Sequence, residues 1–100
     1  MKDIFFLPVA TEDLRSIYKW YEEKKTGLGK EFLEVIFRQT EELQKGIINH
    51  RFFIEPVRFT KMNHFPFSIF YIRDAQMSRL VIIAVLGNKQ DMLSLIKTRL

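Results

Sequence analysis

At 100 residues, 47% of them apolar and 28% charged, the chain can bury one modest core and is too short for two domains, so a single domain over residues 1–100 is expected. It has no cysteine, which excludes disulfides, thiolate metal sites and a thiol nucleophile; with only two histidines, His50 and His64, neither a metal nor a cofactor is expected. The net charge of +4 is unevenly placed, because residues 1–50 hold eight Lys/Arg against nine Asp/Glu and residues 51–100 hold eight against three. Such asymmetry suits a polyanion or an acidic protein partner, and a solvated basic surface is the competing reading.

Residues 3–7 read as a short strand buried on both faces and closed by Pro8. The run is too short for a signal peptide or a membrane span, as is Leu80–Leu86 further on, so a cytoplasmic protein without membrane contact is expected. Thr11 offers a helix N-cap, with Glu12 and Asp13 in the first turn, where the helix dipole favours acids. Leu14, Ile17, Tyr18 and Tyr21 follow at helical spacing, which predicts a helix over about 11–25 that ends at Gly27. A second helix starts near Gly29, carries Phe32, Val35, Ile36 and Leu43 on one stripe, and stops at Gly46. The short connection makes the pair an antiparallel hairpin.

From Val57 the period changes to two. Residues 57–62, 65–73 and 79–86 are three strands, with a tight turn at Asn63-His64 and a polar turn over 74–78. The third is so continuously apolar that it is expected to be central or covered on both faces. Gly87-Asn88 breaks it, and Met92, Leu93, Leu95 and Ile96 form a short last helix or a mobile tail. The fold class is α+β, in the order β-α-α-β-β-β(-α): an antiparallel meander backed by the helical hairpin, its opposite side presenting cations.

Several local sequences match one family in order and spacing. Val9-Ala10-Thr11-Glu12-Asp13-Leu14 resembles the "x-A-x-x-D-L" opening of the ParE/RelE toxins, and Tyr18 to Tyr21 their aromatic pair. Gly27 to Phe32 is similar to their "x-x-x-G-x-x-F", Phe65-Pro66-Phe67-Ser68-Ile69-Phe70-Tyr71 to "F-P-Y-x-I-x-Y", and Ile83 to Leu86 to their last core strand. The resemblance spans roughly residues 3–91.

The resemblance implies a small basic toxin of a type II toxin–antitoxin, or plasmid-stabilisation, system, neutralised by a cognate acidic antitoxin. ParE-like members bind and inhibit DNA gyrase, whereas RelE-like members cleave messenger RNA on the ribosome. RNA cleavage from the 2′-hydroxyl needs a base, cations around the phosphate and an acid for the leaving oxygen. On a RelE-like reading the resemblance assigns such roles to Arg58, Lys61, Arg73 and Lys89. On a binding reading, Arg58, Tyr71, Arg73, Lys89 and Arg99 meet the target or the antitoxin. The bland alternatives are a solvated Arg58, a core Tyr71, an Arg73 that flanks a turn with Asp74 and a disordered Arg99. In the final loop, Gly87 stands at the family's His position and Gln90 at its Arg position, which leaves Lys89 as the cation there. That departure favours a ParE-like inhibitor, or an inactivated relative acting only as a binding module, over a nuclease.

Overall fold

A computed structural model describes residues 3–46 and 49–100. β1 (Asp3–Phe6) leads into α1 (Pro8–Lys24) and α2 (Leu28–Gln44); β2 (Phe52–Ile54), β3 (Val57–Lys61), β4 (Phe67–Asp74) and β5 (Arg79–Gly87) follow, and α3 (Met92–Arg99) ends the chain. The first helix begins earlier than Thr11. Pro8 opens it instead of closing the strand, because a first-turn residue needs no donor N–H and the proline ring already holds a helical φ. Asp13 therefore lies in the second turn, where the dipole argument no longer applies.

Ala10 and Leu14 of α1 and Phe32, Ile36 and Leu43 of α2 face the sheet, but Tyr18 turns partly outward at 36% exposure. The two helices cross closely at Gly29, where a Cβ would lie 2.6 Å from the Tyr18 carbonyl oxygen. The open N-terminus of α2 is capped from the neighbouring helix. The Glu22 carboxylate accepts the N–H of Gly27 at 2.9 Å and of Gly29 at 3.0 Å, satisfying donors that a helix start leaves free.

The sheet runs in the order β1-β5-β4-β3-β2. It is mixed: β1 pairs parallel with β5 and the other neighbours are antiparallel. The extra strand, β2, is a three-residue edge too short to give a period. β5 is central, with Leu80, Ile82, Ile83, Ala84, Val85 and Leu86 all buried. Its register to β4 steps between Phe70↔Ala84 and Tyr71↔Ile82, so Ile83 is an extra residue. The step sends Leu80, Ile82 and Val85 toward the helical hairpin and Ile83, Ala84 and Leu86 to the other side.

That other side corrects the expectation of a cationic face. It is a second apolar layer, in which Val57, Phe70, Ile83, Ala84 and Leu86 are covered by Ile96, Met92 and Leu95 of α3. Phe53, Phe59 and Phe70 extend it, with ring centroids 5.1–5.8 Å apart. Asp91 caps α3 by accepting the Ser94 N–H at 3.2 Å, so the tail is a docked helix. Among the described residues, no helix is long and apolar enough to cross a membrane.

Candidate binding site

Arg58 and Tyr71 are direct cross-strand partners, so their side chains share one face of the sheet, and Arg73 lies two residues along the same face. It is the hairpin side, near the C-terminal end of α2. Tyr71 is fully buried, which makes it an anchor and leaves no ring face for a nucleobase. Its hydroxyl accepts the main-chain N–H of His50 at 3.3 Å and lies 2.8 Å from His50 Nδ1. The hydroxyl can donate to Nδ1 or accept from it, according to the imidazole tautomer.

Both arginines hold the same segment. Arg58 donates to the His50 carbonyl oxygen at 2.6 Å, and its guanidinium lies 4.0 Å from the centre of the Phe52 ring. Arg73 donates through Nε to Asn49 Oδ1 at 2.7 Å and through a terminal nitrogen to the Leu43 carbonyl at 2.8 Å. The latter is an α2 C-terminal carbonyl, where a cation is favoured by the dipole. Burial, then the charges of Arg73 and Arg58, push the His50 imidazole below its usual range. A neutral His50 between two guanidinium groups is thus the local electrostatic signature.

Of the remaining candidates, Lys61 lines the same groove as His50, whereas Lys89 and Arg99 lie elsewhere. Lys61 ends β3 at an exposed position, and its carbonyl is clasped by Gln39 Nε2 at 2.9 Å. Gln39 Oε1 in turn accepts the Asn63 N–H at 2.8 Å, so one buried amide ties the β3–β4 turn to α2. Lys89 projects from the turn beyond Gly87, which pairs with Phe67 at the far end of β4 from Arg73. Six strand steps separate Phe67 from Arg73, about 20 Å at roughly 3.4 Å per residue. The final loop closes on itself, because Gln90 Oε1 accepts the Gly87 N–H at 2.7 Å.

Arg99 is neither disordered nor free. It grips both oxygens of Asp13 at 2.6 and 3.0 Å, and it donates to the Ile83 carbonyl at 3.2 Å. Asp13 also accepts the Val85 N–H at 3.0 Å. The two side chains are only 14% and 13% exposed, so this pair locks α1 and α3 to opposite sides of β5. Asp74 pairs with Arg79, not with Arg73.

Neither His50 nor Gln39 stands out in the sequence as an organising residue, and Asp13 stands out only as an acid near a helix start. His50 follows a helix stop, in a stretch without periodicity, and its partner is 21 positions away. Among the described residues, no group of three or more His, Cys, Asp or Glu is placed to hold a metal.

No protein-family model matches the chain, and no curated protein matches it. Solved structures do. A chain of the chromosomal ParDE toxin–antitoxin system from P. aeruginosa superposes with a TM-score of 0.74 at 19% identity, over 87% of this chain and 96% of that one. The isolated E. coli RelE toxin superposes with a TM-score of 0.59 at 13% identity, over 99% of this chain and 98% of that one. At these identities the likeness is one of fold: the architecture is the ParE/RelE one.

Proposed function

We propose that this chain is the toxin of a type II toxin–antitoxin pair, that it acts by binding and inhibiting its target, and that an acidic antitoxin neutralises it. DNA gyrase is the first target to test. The observation that supports binding over RNA cleavage is the separation of the cations. Cleavage requires base, acid and phosphate clamps within a few ångströms of one phosphate. Here Arg58 and Arg73 hold backbone carbonyls, while Gly87, two residues before Lys89, pairs at Phe67, roughly 14 Å along β4 from the partner of Arg58 and roughly 20 Å from Arg73 at about 3.4 Å per residue. The loop that would supply a His and an Arg has Gly87 and Gln90, bonded to each other.

Induced expression with separate readouts tests the reading. Growth is expected to stop, with DNA synthesis falling before protein synthesis, and co-expression of a short acidic protein encoded beside the gene is expected to restore it. Arrest of translation first, with message cleavage lost in Arg58→Ala, would establish the RelE-like alternative. An absence of arrest would leave an inactive binding module.

A further inference from the structure

Between the C-terminal end of α2 and β3 lies an open groove of about 480 Å³, lined by Glu42, Lys45, His50, Thr60 and Lys61 among others. Its floor is held rigid by the Gln39 amide, bonded to both Lys61 and Asn63. Behind His50 stand the guanidinium groups of Arg58 on β3 and Arg73 on β4, with the buried Tyr71 hydroxyl between the strands. The charged groups around the imidazole are therefore Arg58, Arg73, Lys45 and Lys61 against Glu42. A partly desolvated surface of this sign gains from an incoming anion, because the like charges repel one another in a lowered dielectric.

The guest is better matched by a carboxylate than by nucleic acid. Among the described residues the groove is lined by no Phe, Tyr or Trp on which a base could stack, Tyr71 is buried, and Arg58 covers one face of the nearby Phe52 ring. We propose that this groove seats an acidic side chain of a partner protein, its carboxylate held beside His50 by Lys45 and Lys61 with Arg58 and Arg73 behind the imidazole, and that the antitoxin grips the fold here. Only the identity of that partner depends on the toxin reading; the chemistry of the groove does not.

A carboxylate docked beside His50 offsets the neighbouring guanidinium charge and favours the imidazolium, so binding takes up a proton. The two histidines make the test internally controlled. His50 is in the groove, whereas His64 occupies an exposed turn. The probe is hexaglutamate, with both imidazoles titrated by NMR with and without it. The His50 midpoint is expected to rise by about half a unit or more while that of His64 stays fixed. In Arg58→Gln, and in the exposed double variant Lys45→Gln/Lys61→Gln, the rise is expected to shrink severalfold. The double variant decides the matter should Arg58→Gln fail to fold.

Equal movement of both histidines, no movement, or a larger His50 shift with a single-stranded hexanucleotide than with hexaglutamate would overturn the proposal. Growth arrest, scored separately, keeps the two readings apart. A His50 response in a protein that arrests nothing removes the toxin and leaves the groove, whereas arrest without a response removes the groove alone.

Discussion

At the scale of single residues, the structure gives its strongest bonds to side chains whose partners are distant in sequence. Asp13 and Arg99 are 86 positions apart, yet form a bidentate, largely buried pair that also receives the Val85 N–H. Arg99→Ala leaves a buried carboxylate without its counter-charge, and is expected to lower unfolding stability by about 3 kcal/mol. Urea denaturation measures this, and replacing both partners with apolar residues should cost less than Arg99→Ala alone. His50 sets a pH dependence whose sign follows from its surroundings. Its imidazole is held below the unfolded value, so the unfolded chain binds more protons. Stability is therefore intact above a pH of about 6.5 and declines as the pH falls through the folded-state value. His50→Gln should flatten part of that decline in melts recorded from pH 7 to pH 5. None of these roles was legible beforehand. A lone Asp near a helix start and a lone His after a helix stop have no local pattern that names a partner.

At the scale of elements, what could be read was whatever had a period. The apolar stripe of α2 and the continuous run of β5 depend on residues within one element, and the structure buries them accordingly. The start of α1 was misplaced because Thr11 and Pro8 both signal a helix N-terminus, and the chain uses the earlier one. β2 has three residues and no alternation to detect. Gly29 looked like a helix start alone, but it is also the contact point of the hairpin. Gly29→Ala would press a methyl group against the Tyr18 carbonyl, and is expected to cost roughly 1–3 kcal/mol, readable as a lower midpoint in thermal melts. Ile96 is fully buried and pins α3 to the second apolar layer. Ile96→Ala is expected to cost about 2–4 kcal/mol and to expose that layer to a hydrophobic dye.

For the whole molecule, the fold class was legible because five short motifs stood in order, while the arrangement of the candidate residues was not, because it is made by register. Arg58, Tyr71 and Arg73 meet only once β3 and β4 are paired, and they meet under the hairpin instead of on the far side of the sheet. The positive excess of residues 51–100 is thus divided among both ends of the sheet and α3, with an apolar layer where a cationic face was expected. This division supports inhibition by binding over catalysis. Mapping the 5′ ends of cellular messages after induced expression tests the claim most directly. Growth arrest with no new 5′ ends inside translated messages is the predicted result, and new ends there that vanish in Arg58→Ala would contradict it.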